Sequence, residues 1–372
     1  MRGAAVSHQG MESRALLALG RFRREERAAL AVAAEQAAFE LHAVDTSDEA
    51  SDWLSNHDAH GALLESEQSE ALAVEARSSA RHVRLPMLAL ARNVSDLAFN
   101  DAFSWGADDV LPFGEVRPLL TRLRNLPREP AEAPKTGRGN ALIAEADRTR
   151  RTVVARVLRN AGYAVTFAVT SEDAASFSER PDLSLAVVNT ELMPNAHTIV
   201  ERARGAGSNA NFILCCAPRD LRAAREGLLD LNGVAAVDGF AAPENVLFAS
   251  NELRAGAVNN RKTPRLLYGT TVAFRGAGRE RDDLGFTYNV SGGGIYVRTL
   301  APPDDDETWI ELRPPRSDRL VRLVAKIAWR RRFNHNENAT VPPGFGAQII
   351  DGAKADLEAW QAGNAAMAAA LG

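Results

Sequence analysis

Two short runs in the last third of the chain carry residue types suited to holding an anion. Arg261-Lys-Thr-Pro-Arg265 sets two guanidinium groups four residues apart, just ahead of a stretch rich in β-branched and aromatic residues. A guanidinium donates paired hydrogen bonds to oxyanions and stacks on planar rings. Asn289-Val-Ser291-Gly-Gly-Gly294 follows the next such stretch and joins an amide and a hydroxyl to three glycines. Without Cβ atoms, and with positive φ inexpensive, such a turn lets a ligand come close to the backbone. Each run alone also has an ordinary reading, as paired surface arginines or as a simple turn. No nucleophile, base and orienting group can be assembled from the motifs, so the chemistry expected is binding and the chain is not read as an enzyme.

The elements that must position these runs follow from periodicity. From Leu266 onward the pattern alternates with period two, giving strands at Leu266–Phe274, Leu284–Tyr288, Gly294–Arg298, Thr308–Arg313, Leu320–Arg330 and Gly346–Ile350. Short antiparallel strands at this spacing predict a small β-barrel. Residues after Ala353 read as a helix whose apolar side is Leu357, Trp360, Met367 and Leu371, packed on the barrel or on a second copy. Upstream, short apolar strands alternate with amphipathic helices twice over, as parallel sheets covered on both faces do. The strands read Ala15–Leu19, Glu40–Val44, Gly61–Leu64, Pro86–Leu90 and Asp109–Leu111 in the first unit. In the second they read Asn140–Ala144, Ala164–Ala168, Leu185–Asn189, Asn211–Cys216 and Ala235–Val237. Five strands in such alternation suggest a flavodoxin-like unit. The predicted division is a disordered leader at 1–12, α/β units at 13–126 and 140–254 joined by a Pro- and Gly-rich linker at 127–139, a barrel at 255–353 and a helix at 354–372.

The order and separation of the two C-terminal runs, with Trp329 and Pro343-Gly344-Phe345-Gly346 behind them, resemble the PilZ family over about Arg261–Asp351. Members of that family bind cyclic di-GMP through Arg-x-x-x-Arg and Asp/Asn-x-Ser-x-x-Gly. The resemblance implies that Arg261 and Arg265 clamp phosphate and guanine, that Asn289 and Ser291 contact a guanine edge, and that Gly294 is the glycine of the motif. Trp329 reads as a core or rim residue. The main departure is an insertion at Phe333–Pro343, read as a hairpin loop.

Both α/β units resemble receiver domains of response regulators, on Gly106-Ala-Asp-Asp-Val-Leu-Pro112, Glu145-Ala-Asp147 and Met193-Pro194. Phosphorylation of a receiver needs an aspartate, two further acids for Mg²⁺, a hydroxyl and a lysine. In the second unit Thr190, or Asn189 if the register slips by one, stands in the acceptor's place, Cys216 in the hydroxyl's, and Ala242 in the lysine's. In the first unit Leu19-Gly20 and Leu90-Ala91 replace the acids and the hydroxyl pair, and Glu65 is nearest to the acceptor. Neither unit is expected to catalyse anything; their exposed surfaces are expected to serve protein partners or a homodimer.

The formal charge of −4 gives no global attraction to a nucleic acid polymer or an anionic membrane, so any anion site must be local. No apolar stretch is long enough to span a bilayer, and a cytoplasmic location is expected. No cofactor or structural metal is expected: His57 and His60 lack metal-ligand spacing, and Asp45, Asp48, Glu49 and Asp52 suit a helix start. Cys215 and Cys216 are read as reduced core thiols on opposite faces of a strand. The reading as a whole is a multidomain effector that binds cyclic di-GMP and signals through protein contacts, with a first guess of motility or surface behaviour. The rival is a scaffold that binds no nucleotide.

Overall fold

The structure, a computed structural model, describes residues 14–66, 69–79, 81–128, 137–228, 230–239, 242–256, 263–276, 282–333 and 339–371. The expected leader and Arg261 lie outside them. The first unit holds β1 (Arg14–Leu19), β2 (Phe39–Val44), β3 (Ala59–Glu65), β4 (Met87–Ala91) and β5 (Asp109–Pro112), all parallel, in the order β2-β1-β3-β4-β5. Helices α1 (Arg24–Gln36), α2 (Ser47–Asn56), α3 (Glu70–Ser78), α4 (Asp96–Ser104) and α5 (Val116–Asn125) cover both faces. The inner strands β1, β3 and β4 are apolar along their length because both sides are roofed by helices, and residues such as Leu16, Leu63 and Leu88 are fully buried.

The second unit repeats this plan. Strands β6 (Asn140–Ala144), β7 (Ala164–Ala168), β8 (Leu183–Asn189), β9 (Asn211–Cys216) and β10 (Val234–Asp238) form a parallel sheet in the order β10-β9-β8-β6-β7, the mirror listing of the first. Its helices are α6 (Arg148–Asn160), α7 (Ser171–Ser178), α8 (Ala196–Gly205), α9 (Leu221–Glu226) and α10 (Glu244–Ala255). Cys215 and Cys216 point to different faces of β9 and join separate core clusters. Both α/β units are flavodoxin-like.

The third unit is antiparallel: β11 (Leu266–Leu267), β12 (Thr271–Gly276), β13 (Asp283–Ser291), β14 (Gly294–Arg298), β15 (Glu307–Leu312), β16 (Val321–Arg331) and β17 (Gly344–Gly352). Pairing runs β13-β12-β15-β16-β17-β14 and closes through β13–β14, so six strands make a barrel and β11 is an appendage on β13. The single first strand expected at Leu266–Phe274 is broken at Tyr268–Thr270. There the Thr287 hydroxyl donates to the Tyr268 carbonyl and accepts from the Thr270 N–H, beside one backbone bond from the Thr287 N–H to the Thr270 carbonyl at 2.9 Å. Helix α11 (Lys354–Leu371) packs on the barrel, and Trp360 is buried against it. Its inner face is Trp360, Gly363 and Asn364, with Leu357 and Met367 only half-buried. No helix among the described residues is long and apolar enough to cross a membrane.

The three units share their cores. Phe286 of β13 stacks on Phe99 at 4.9 Å and belongs to the core of the first unit, as does Leu300; Leu267 packs on the second. Polar bonds follow the same seam. Asp96 at the start of α4 accepts from the Thr271 N–H at 2.6 Å and its hydroxyl at 2.7 Å. Asp109 of β5 accepts from the Leu300 N–H at 2.8 Å, and Arg122 of α5 donates to the Leu284 carbonyl at 2.7 Å. The α4–β5–α5 side of the first unit, a surface the sequence left open for outside partners, is thus occupied by the barrel.

Candidate nucleotide site

The barrel brings four of the five expected site residues to one place. Arg265 is the residue before β11, Asn289 and Ser291 lie at the end of β13, and Gly294 opens β14. Ser291 and Gly294 are register partners, so Gly292 and Gly293 form the two-residue turn of a hairpin. A register shift between Thr287 and Asn289 leaves Tyr288 out of the ladder, and bulges of this kind re-aim the neighbouring side chains. Arg265, Asn289, Ser291, Gly293, Gly294 and Trp329 border a pocket of about 210 Å³. Arg265 is exposed, Asn289 is buried, and the Ser291 hydroxyl donates to the Gly294 carbonyl at 3.4 Å.

The glycines serve close approach, not an unusual backbone conformation. None of Gly292, Gly293 and Gly294 takes a positive φ. A Cβ on Gly294 would lie 2.7 Å from the Ala347 carbonyl oxygen, so that glycine is required by the close approach of β14 to β17. Gly293 faces open space and Gly292 nearly so, and Gly293 presents bare backbone at the pocket.

Trp329 sits at the rim, 39% exposed, with its ring stacked on Tyr296 at 4.9 Å and 28°. It lies across Gly346, where a Cβ would come within 2.4 Å of the indole Nε1. One face of the indole is thus backed by Tyr296 while the ring stays partly open to solvent. Tyr296 beneath it donates to the Pro342 carbonyl at 2.6 Å, and burial pushes its phenol pKa upward, so it stays neutral.

Trp360 was read only as part of an apolar helix face, yet it also fixes the turn. Its Nε1–H donates to the Gly292 carbonyl at 3.2 Å, tying α11 to the motif hairpin. Gly363, one turn on, lets the helix sit close to Pro315, whose carbonyl oxygen would be 2.5 Å from a Cβ there. The signal available was a Trp followed three residues later by Gly in an alanine-rich helix, a knob beside a flat spot. Arg265 also borders a larger cavity of about 600 Å³ between the barrel and the α/β units, lined in part by Arg225, Tyr288 and Arg298.

The two receiver-like sites are filled by the chain's own ions. In the second unit Asn189, the last residue of β8, stands in the acceptor place, and Thr190 turns away to donate to the Cys215 carbonyl. Glu145 accepts from the Asn189 amide at 2.7 Å and from Arg150 at 3.0 and 3.2 Å. Arg150 also reaches Glu191 at 3.1 Å, so a guanidinium lies between the acids. In the first unit Glu65 ends β3, accepts from the Arg21 N–H at 2.8 Å and pairs with Arg92 at 3.3 Å. Glu49 completes a capping box with Thr46 at the start of α2, which accounts for part of the acidic group there. Among the described residues no group of His, Cys, Asp and Glu is placed to hold a metal.

No protein-family model and no curated protein matches the chain. Similar solved structures include the Bacillus subtilis inhibitor of motility MotI/DgrA, at 18% identity over 30% of this chain and TM-score 0.24. The chain covers 52% of the length of that protein. They also include the PilZ domain of a CeSA protein from a cellulose-synthesizing bacterium, at 19% identity, 28% of this chain, 93% of that one and TM-score 0.20. A third is a response regulator in red light signalling of R. palustris, at 14% identity, 29% of this chain, 88% of that one and TM-score 0.25. Both domain types expected from the motifs thus occur among the structural neighbours. The assignment of two flavodoxin-like units and a small closed barrel rests on the strand order and closure described above.

Proposed function

We propose that the chain is a non-enzymatic receptor for cyclic di-GMP that transmits occupancy through protein contacts in the cytoplasm. The supporting observation is the convergence of Arg265, Asn289, Ser291 and Gly294 on one pocket with Trp329 at its rim. A guanidinium, an amide, a hydroxyl, bare backbone and an indole face suit a ligand made of phosphodiesters and guanines. At about 210 Å³ the pocket is smaller than the roughly 300–1,000 Å³ that encloses a whole drug-sized ligand. It would therefore take one nucleotide half and leave the other to the Arg261 segment. Because Arg265 also borders the interdomain cavity, drawing it onto a ligand would alter the wall between barrel and α/β units. Such coupling works only to the extent that the nucleotide favours one arrangement over the other.

Calorimetry with purified protein tests the reading. Arg261→Ala and Arg265→Ala should each cost about 2–5 kcal/mol of binding, a roughly 30- to 4,000-fold loss, with the fold intact. Wild-type protein that gives no heat at tens of micromolar nucleotide, or a double variant that binds like wild type, would leave the scaffold reading in its place. Motility and surface behaviour are the first outputs to examine, and a pull-down with and without nucleotide identifies partners.

A further inference from the structure

Helices α2 and α3 of the first unit pack against each other and leave between them a cleft of about 260 Å³, apart from both the nucleotide pocket and the receiver-like site. Its floor is apolar, made of Leu54, Leu72 and Ala76, all buried members of the unit's core. Its walls are polar. Ser51 and Ser55 stand one turn apart on α2, Glu75 and Ser79 one turn apart on α3 and its C-cap, and Arg81 and His82 follow.

The hydrogen bonds already made within these walls decide what they can still offer. The Ser51 hydroxyl donates to the Glu75 carboxylate at 2.6 Å, and the Ser55 hydroxyl donates to the Ser51 carbonyl at 2.9 Å. A hydroxyl whose proton is committed keeps its lone pairs, so both serines can act as acceptors. Arg81 is spent elsewhere: its Nε–H donates to Asp58 at 2.7 Å and a terminal nitrogen to the Ser55 carbonyl at 3.2 Å. With Arg81 and Asp58 counted as a balanced pair, Glu75 leaves the walls one negative charge in excess.

His82 adds a further acceptor. It is 6% exposed, and its Nε2 is buried with no hydrogen-bond partner. The ring bonds to the His57 backbone, a contact that favours the protonated form, so the ring is the donor there. Burial outweighs that contact and holds the pKa below its usual value, which keeps the imidazole neutral at neutral pH. A neutral imidazole that donates through one nitrogen carries a lone pair on the other. A carboxylate, two hydroxyls and an imidazole nitrogen, all accepting and with net negative charge, match a cation that carries several N–H donors. A bare metal ion is not indicated, since among the described residues no group is placed to hold one. A primary ammonium has three donors and no acceptor.

We propose that the α2–α3 cleft binds a small primary amine, its ammonium donating to Glu75, the serine hydroxyls and His82, and its alkyl body lying on Leu54, Leu72 and Ala76. The volume suits a ligand below drug size. The site lies within the first unit and does not rest on the nucleotide reading.

The probe is 4,4,4-trifluorobutylamine, followed by fluorine NMR line-broadening against the full-length protein at neutral pH, with uncharged 4,4,4-trifluorobutanol as the body-only control. The amine should bind at least about tenfold more tightly than the alcohol, a difference of about 1.4 kcal/mol. His82→Phe removes the lone pair and should weaken the amine about tenfold. Because His82 is buried and its variant could misfold, Glu75→Gln at the exposed mouth serves as a second variant, with a loss of about threefold or more. Equal binding of amine and alcohol, no broadening at millimolar probe, or folded variants that bind the amine as tightly as wild type would each overturn the proposal.

Discussion

Replacing Asp108 with asparagine keeps the shape of the side chain and removes the charge that two arginines share across the boundary between the α/β units. Arg77 belongs to α3 of the first unit and Arg156 to α6 of the second, and Asp108 accepts from both. All three are almost wholly buried. Breaking a buried pair by removing one partner costs about 3–5 kcal/mol, because the remaining charge is stranded. A folded protein has about 5–15 kcal/mol in total, so the loss should be plain in urea unfolding followed by tryptophan fluorescence. The pH dependence has a definite sign. Desolvation alone would raise the Asp108 pKa, but Arg156 and Arg77 outweigh it and hold the carboxyl below its usual range. A folded-state pKa below the unfolded one means stability that is present above the unfolded value, near 3.9, and is lost as pH falls through the folded one. Wild type should therefore lose this contribution only below about pH 4, and Asp108→Asn should lack that loss. A variant less than about 1 kcal/mol below wild type, or with an unchanged acid limb, would refute the reasoning.

Trp360→Ala should cost about 3–5 kcal/mol by emptying a buried indole site, and should also weaken nucleotide binding by freeing the Gly292 carbonyl; thermal unfolding and calorimetry check the two effects separately. Gly294→Ala should destabilise by about 1–3 kcal/mol through its clash with the Ala347 carbonyl, seen as a lower urea midpoint even without ligand. Cys215 and Cys216, whose thiols burial pushes up, the latter to about 11, should resist alkylation at neutral pH until the second unit unfolds, as intact-mass measurement can show. Neither receiver-like site should accept phosphate from acetyl phosphate with Mg²⁺, since Arg150 and Arg92 stand against the acids there; stoichiometric labelling would contradict this.

Much of the fold was legible because the signal was local. Parallel strands roofed on both faces appear in sequence as short apolar runs, and those between Ala15 and Val237 coincide with β1–β10. The barrel's alternation and the two motifs located the hairpin at Ser291–Gly294 and its pocket. What was not legible depends on partners distant in the chain. The side chain of Thr287, not the propensity of Tyr268–Thr270, breaks the first barrel strand. The insertion at Phe333–Pro343 read as a hairpin loop with no partner named; in its described part the Ala339 N–H donates to the Asn160 carbonyl and Asn251 donates to the Thr340 carbonyl, docking it on the second unit. The residues at 334–338 lie outside the described part. Asp108 and Asp109 were read only as part of a strand-entry run, since nothing in sequence separation reveals that one serves the second unit and the other the barrel.

Those two neighbouring carboxylates bear on how the protein can be taken apart. Residues 255–264 read as a seam, but Phe286, Leu300 and Leu267 complete hydrophobic clusters on the far side of it, and Arg298 finds its counter-charge on Glu244 and a further acceptor in the Ala107 carbonyl. A barrel excised at that seam would expose Phe286, Leu300 and Leu267 to water and separate Arg298 from Glu244. The boundary a reader would choose for cloning, or that recombination would need for shuffling the barrel onto another partner, is therefore one the core does not recognise.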